Sequence, residues 1–404
     1  MSKRKKIIVV GAGPVGAVAA LACVQRGFAV TLIDAAAEVD TSPRAATTHP
    51  STLEMIASLG IIDEFIKVGL VARYFDFWDQ TQRELVARFD HNTLRDDTDF
   101  PFVVQTEQHK LVNIVLPILR GCPDVDVRFS TALTGMEQSA DSVRATLQTA
   151  EGREVITADY MIGADGGRST VRKMLEIEFE GYTWPERFLV LTTSFDFAAA
   201  IGCSYRSYIS DPDQWGNLFK IAGDDQRGRW RAVFPVHADL SDESALAEDE
   251  AQTRLNRLLP REEPYTLLHR NLYRVHQRVA ASFRKHRVFL AGDSGHVNNP
   301  IGGLGLNCGI HDALELADTL SEVGDFATSA TLLDRYERRR RTLNIEFVQQ
   351  QTVANKKRLE EKDPVARTQN LRELAQSAAD PVRHRAFLMR SSLLQSVRSS
   401  KDIA

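Results

Sequence analysis

The chain has 404 residues, with 50 Lys and Arg against 54 Asp and Glu, so its formal net charge is −4. Hydrophobic residues make up 43% and charged residues 26%, the mix of a globular protein long enough for two or more interleaved domains. This balance offers no general attraction to nucleic acid or to an anionic membrane. With no secretory leader and no membrane-spanning run in the sequence, the expected location is the cytoplasm.

The chain opens on an apolar run, Ile7 to Val10, which predicts a buried parallel strand. Gly11-Ala12-Gly13-Pro14-Val15-Gly16 follows as a turn, then an alanine-rich helix from Ala17 to Arg26 closed by Gly27. Ala29 to Asp34 predicts the second strand. Residues Tyr74–Arg88 and Phe188–Val236 alternate apolar and polar positions, as antiparallel strands with unlike faces do. Between them a helix is expected from Glu107 to Arg120, then strands at Val125–Phe129, Ser142–Thr149 and Tyr160–Gly163. From Leu306 the pattern is helical almost to the end, with Pro364 and Pro381 dividing the tail. Arg338 to Arg341 predict a solvated face, salt-bridged with Glu337 and Asp334. The cysteines, Cys23, Cys122, Cys203 and Cys308, are scattered, which predicts reduced thiols and no metal site.

The chemistry begins at Gly11-x-Gly13-x-x-Gly16. Gly11 permits the tight turn, Gly13 lets a pyrophosphate approach the backbone, and Gly16 lets the helix pack on the strand. The helix N-terminus then presents free N–H groups to phosphate. Asp34, 18 residues beyond Gly16, is placed to accept hydrogen bonds from ribose hydroxyls. This motif alone does not separate NAD from FAD. Two later strands do, one ending in Ala164-Asp165-Gly166-Gly167-Arg168-Ser169 and one in Ala291-Gly292-Asp293.

With these three motifs in this order, the sequence resembles the flavoprotein aromatic hydroxylases of the para-hydroxybenzoate hydroxylase type, over roughly residues 7 to 345. The resemblance implies an α/β fold. A Rossmann-type FAD-binding domain (1–72 with 100–180 and 277–345) would interleave with a mainly antiparallel substrate domain (73–99 with 181–276), followed by C-terminal helices (346–404). It implies that Gly292 and Asp293 bind the ribityl chain and that Asp165 serves FAD and NAD(P)H. Arg44 would meet both cofactors, and Gln105 the flavin side of the pocket. The loop Pro300-Ile301-Gly302-Gly303-Leu304-Gly305-Leu306-Asn307 would lie beside the flavin, with Pro300 on the oxygen-reactive side. Gly303, Gly305, Leu306 and Asn307 are its cofactor-binding candidates, through close backbone approach and helix N–H groups.

The implied reaction is hydroxylation of a phenolic or hydroxylated heteroaromatic ring with NADH or NADPH and O2, through a flavin C4a-hydroperoxide. A group that ionises the ring hydroxyl is then needed. Tyr205, Arg206, Tyr208 and His237 in the sheet domain and His49 and His296 near the flavin are the candidates. Tyr205 and His49 are the preferred ones. Tyr205 and Tyr208 point to opposite faces of one strand, so one of them at most faces the pocket. Glu180–Phe188 and Tyr273–Arg278 look like segments of hydroxylases of simple phenols and nitrophenols. The expected partners are a small aromatic substrate, O2 and NAD(P)H, with neither nucleic acid nor membrane, in a monomer or homodimer whose tail helices pack on the FAD domain or a second subunit. Two rival readings are another flavoenzyme on this fold, such as a halogenase or reductase, and a flavin-binding regulatory protein without turnover.

Overall fold

The computed structural model describes residues 4–42, 44, 46–323 and 330–403. The expected opening forms as the strand Lys6–Val10, the helix Pro14–Gln25 and the strand Ala29–Ile33. Lys6–Val10 is central in a six-stranded sheet, with Ala29–Ile33 and Val125–Arg128 on one side and Tyr160–Gly163, Val288–Leu290 and Arg284–Lys285 on the other. Its pairings are parallel except the last. Ile7, Ile8 and Val9 are all buried, because the helix Pro14–Gln25 and the strand Gly152–Ala158 both pack on this strand, and this is why it reads as an unbroken apolar run. The alanines of Pro14–Gln25 let it pack closely against Gly305–Glu322 and Gln108–Arg120. A meander of Ala132–Gln138, Val143–Thr149 and Gly152–Ala158 adds Ala145 and Leu147 to the same core.

The second sheet runs, in spatial order, His296–Val297, Leu267–Ala280, Phe179–Thr193, Arg229–Val236, Gly216–Ile221, Arg206–Ser210, Tyr74–Asp79 and Glu84–Asp90. It is antiparallel except where Arg206–Ser210 pairs in parallel with Tyr74–Asp79. The two segments singled out for their likeness to phenol hydroxylases are partners here, with Tyr182 opposite Gln277 and Phe188 opposite Tyr273. The register slips between Thr183 and Arg187, and Pro185 is accommodated in that irregularity. The strands Phe179–Thr193 and Leu267–Ala280 run through the expected boundaries at 180 and 276 and so tie the two sheets together.

This sheet has two different faces. Leu189, Leu191, Trp230, Ala232 and Phe234 point outward, into a core shared with the helix Glu248–Leu258. Phe75, Phe77, Phe188, Tyr208 and Val233 point inward, toward Ile301 and the tail residues Leu359, Leu374 and Leu388. The inner face is the one that meets the glycine-rich loop.

Pro364 and Pro381 open the helices Pro364–Ala379 and Pro381–Ser391, each capped by the preceding aspartate. The expected packing of this tail on the FAD domain is met in part, by Leu394–Ser399 against the helix Pro50–Ser58, with Ser51 Oγ donating to the Ser392 carbonyl at 2.7 Å. The helices Pro364–Ala379 and Pro381–Ser391 lie against the second sheet of the same chain, where Phe387 stacks on Phe89 at 3.9 Å and His384 Nε2 accepts the Asp90 N–H at 2.8 Å. The arginine run is corrected. Arg339 pairs with Glu315, Arg341 with Glu180, and Arg340 is buried against Asp312, so the run fastens its helix to other segments.

Candidate active site

The glycine motif has the geometry a dinucleotide needs. Gly11 has φ +102°, and a Cβ there would stand 2.4 Å from the Ala164 carbonyl oxygen, so the first turn packs against the Asp165 segment. A Cβ on Gly16 would meet the Gly11 carbonyl oxygen at 1.8 Å. On Gly13 it would meet nothing within 4 Å, which leaves room for a pyrophosphate over the helix N-terminus. Asp34 accepts the Ala12 and Ala36 N–H groups at 2.7 and 2.8 Å, one on each oxygen, and so fixes the end of its strand to the glycine turn. Each oxygen retains acceptor capacity for a ribose hydroxyl.

Asp293 closes the same cleft from the other side. Gly292 has φ +62° and donates its N–H to the buried carboxylate of Asp312 at 2.9 Å. The Asp293 side chain opens to the cleft while protein surrounds it elsewhere, and that partial desolvation raises its pKa, with His296 and Arg44 acting the other way. Arg44 is exposed and paired with Asp40 at 3.0 Å, and its carbonyl accepts from Arg231 at 2.9 Å. Its neighbours Pro43 and Ala45 lie outside the described residues.

The side chains of Asp165 and Asn307 are engaged within the protein. Asp165 takes Ser169 Oγ on one oxygen and the Thr170 and Val171 N–H groups on the other, the work of a turn and helix start. Asn307 accepts the His49 N–H and donates to the carbonyls of Thr47 and Gly303, so its amide is spent on protein. What Gly305, Leu306 and Asn307 offer a ligand is the free N–H groups of the first turn of Gly305–Glu322. Gln105 has one side-chain group engaged and one free. It is wholly buried, its Oε1 accepts from Thr47 Oγ1 at 2.8 Å, and its Nε2 has no partner. A buried orphan donor beside the glycine-rich loop suits a flavin edge.

Toward the inner face of the second sheet, the loop after Asp293 turns through Gly302 and Gly303 at φ +117° and +66°. The Gly302 carbonyl accepts from His49 Nε2 at 2.9 Å and from Arg206 Nη2 at 3.1 Å. Tyr208 is close by, in reach of both Arg206 and Gly302. Because the carbonyl accepts from Nε2, the His49 proton sits there and Nδ1 is a lone-pair acceptor, buried and without a partner. Burial, then repulsion from Arg206, keeps His49 well below the ordinary histidine range, so the ring is neutral. Pro300 stands two residues before this hub, half-buried.

The preferred Tyr205 is not part of this group. It lies against Lys220 and Trp230, on the outer side of the sheet, and Tyr208 takes the inward position. His296 is sequestered beneath the Gly292 turn, 2.6 Å from Asp312, and His237 is exposed beside Asp239. Residues not singled out from sequence also belong here. Asp312 interrupts the apolar stretch Ile310–Leu314, which is a readable signal. His91, wholly buried with an unpaired Nε2, carried none.

The chain's residues 4–351 match the family model described as FAD binding domain. The chain belongs to this family. Among the described residues, the nucleotide cleft and the orphan Gln105 donor fit FAD. The para-nitrophenol 4-monooxygenase of Pseudomonas sp. (strain WBC-3) is 33% identical over 95% of this chain and 94% of its own length. The 6-hydroxy-3-succinoylpyridine 3-monooxygenase of Pseudomonas putida (strain DSM 28022 / S16) is 33% identical over 90% and 91%. Among solved structures, p-nitrophenol 4-monooxygenase from Pseudomonas putida DLL-E4 superposes with a TM-score of 0.88 at 32% identity, covering 96% of this chain and 98% of that one. This chain is therefore an enzyme, a flavin monooxygenase with FAD as its cofactor. Among the described residues, no helix is long and apolar enough to cross a membrane.

Proposed function

We propose that this monooxygenase hydroxylates a phenolic or hydroxylated heteroaromatic ring, taking electrons from NAD(P)H and oxygen from O2. The observation that carries the reading is the convergence of His49, Arg206 and Tyr208 on the Gly302 carbonyl, in the loop that follows Gly292-Asp293. The relatives just named act on a nitrophenol and a hydroxypyridine, which supports a hydroxylated ring as substrate.

FAD, when bound, supplies the redox chemistry, from accepting electrons to activating oxygen. The chain's residues do the rest. Gly11, Gly13, Gly16 and Asp34 take the nucleotide end, Asp293 and Gly292 the ribityl chain, and Gln105 Nε2 with the N–H groups of 305–307 the ring. Arg44 and Asp165 border the side where NAD(P)H would dock. Pro300 and Ile301 form a dry wall, and His49 borders the place of the ring oxygen together with Arg206 and Tyr208.

The test is stopped-flow oxidation of NADH and NADPH by the yellow holoenzyme, with a panel of phenols and hydroxypyridines, and identification of the products. Ring-dependent NAD(P)H oxidation with one oxygen atom from O2 in the product is expected. Protein without bound flavin, or flavin protein that hydroxylates none of these rings, refutes the proposal.

A further inference from the structure

Arg206 is a cation without a counter-ion. Its side chain is 1% exposed, and among the described residues it enters no ion pair. Nη2 donates to Gly302, but Nε and Nη1 have no hydrogen-bond partner. The guanidinium lies 3.9 Å from the Phe75 ring centroid, a cation–π contact that offsets only part of the lost hydration. Charged groups buried in this way are ordinarily paired. Here the nearest carboxylate on the neighbouring strand, Asp76, is turned to the other face and taken up by Arg88 and the Ser204 N–H.

The titratable groups that face Arg206 are His49 from the helix after Thr48, His91 from the turn His91–Leu94, and Tyr208 on its own strand. None is an anion near neutral pH. Both histidines are neutral, and His49 is a poor acceptor of a whole proton while Arg206 stands beside it. The unpaired N–H groups of Arg206 and its positive charge therefore lie at the inner sheet face, beside the Gly302 carbonyl, with the Tyr208 hydroxyl in reach of both.

Resting on the hydroxylase reading above, we infer that Arg206 is the anion seat of the substrate: the ring enters as a phenolate already ionised in water, and its oxygen accepts from one of the free N–H donors of Arg206. No proton acceptor is then needed in the ground state, since the phenol O–H bond is broken before binding and the electron pair stays on the oxygen. The site selects rings whose hydroxyl is acidic, and it discriminates against phenols that ionise only in strong base.

The experiment titrates the FAD-loaded, NAD(P)H-free enzyme with 4-nitrophenol across a pH series and reads the phenolate absorption band. An apparent pKa about one to three units below that of free 4-nitrophenol is expected for the bound ring. Arg206→Met should abolish the shift and weaken phenolate binding about 10- to 150-fold, the range for losing a hydrogen bond to a charged group. Arg206→Lys should retain part of both. The free Arg206→Met enzyme should unfold at the parent's temperature or above it, because an unpaired buried charge has been removed. A merely structural Arg206 predicts a lower one.

Two further probes separate the ring oxygen from other acceptor groups. Tetrafluorophenol, acidic but without a nitro group, should behave as 4-nitrophenol does, and 4-nitroanisole, with a nitro group but no ionisable oxygen, should lose nothing in Arg206→Met. An equal loss for 4-nitroanisole, or an unchanged pKa shift in a flavin-replete Arg206→Met, overturns the inference. If the parent hydroxylates phenols while either of those results holds, the anion seat fails and the hydroxylase reading stands. If the parent hydroxylates no ring, it is the hydroxylase reading that fails.

Discussion

Removing the carboxylate of Asp312 tests how the Gly292-Asp293 turn is held. Asp312 is wholly buried and has three partners: the Gly292 N–H at 2.9 Å, His296 Nε2 at 2.6 Å and Arg340 Nε at 2.6 Å. Burial alone would raise its pKa, but His296 and Arg340 outweigh it and hold the group at about 2. Asp312→Ala leaves the Arg340 charge buried and unpaired, which costs about 3–5 kcal/mol. The Gly292 N–H is orphaned with it, at about 1–3 kcal/mol, and since the bonds share one carboxylate the two costs do not simply add. Asp312→Asn keeps one acceptor for Arg340 and should lose about 1.5–3 kcal/mol. In both variants the turn that carries Asp293 loosens, so FAD affinity should fall in the same order as stability.

The assay is urea unfolding of the FAD-loaded and FAD-free protein, alongside flavin release followed by fluorescence. An Asp312→Ala variant within 1 kcal/mol of the parent refutes the account, as does an Asp312→Asn variant as weak as Asp312→Ala. The pH dependence adds a signed check. The folded pKa lies below the unfolded value of about 3.9, so this stabilisation is complete above that pH and lost as pH falls through about 2.

Gly16→Ala should yield protein with little bound flavin, since its Cβ would sit 1.8 Å from a backbone carbonyl that cannot yield; normal flavin content after purification counts against this. Phe387→Ala removes the ring stacked on Phe89 and, being half-buried, should cost roughly 2 kcal/mol, with faster proteolysis of the tail as the readout. His91 and His311 are buried with pKa values lowered to about 3, and each must gain a proton on unfolding below about pH 6.5. Their folded values are depressed, so stability should fall as pH drops from 6.5 toward 3, by roughly 1.4 kcal/mol per pH unit for each histidine; a flat profile between pH 7 and 5 disagrees.

The nucleotide half was legible because its constraints are local. Gly11, Gly16 and Gly292 are demanded by turns and contacts within a few residues or a neighbouring strand, and the first strand, helix and second strand form within a few residues of expectation. The substrate half was less so. Strand parity does put Tyr205 and Tyr208 on opposite faces, but which face is interior depends on the helix Glu248–Leu258, some 40 residues away, covering one side. The arginine run misled for a similar reason: Arg340 looks like its neighbours until a buried carboxylate 28 residues earlier meets it. Asn307 carries the expected residue type, yet how its amide is spent depends on His49 and Thr47, which the motif does not contain.

The loop from Asn298 to Leu304 explains why the tail cannot be treated as an appendage. Its Gly302 carbonyl is bound by His49 from the FAD side and Arg206 from the sheet. Its Asn299 N–H donates to Gln277 Oε1 at 3.0 Å, and the Nε2 of that same Gln277 donates to Thr352 Oγ1 at 3.0 Å. A Cβ on Gly302 would stand 3.4 Å from Asn355, so the helix Gln350–Leu359 packs directly behind the loop. With two residues at positive φ, the loop has no regular hydrogen-bonding ladder of its own and takes its shape from these outside anchors. Four segments widely separated in sequence thus hold this one loop. A substitution at Thr352 that breaks the Gln277 bond should shift the Gly302 carbonyl, so the shape of this loop depends on residues after 346 as well as on the motifs before it.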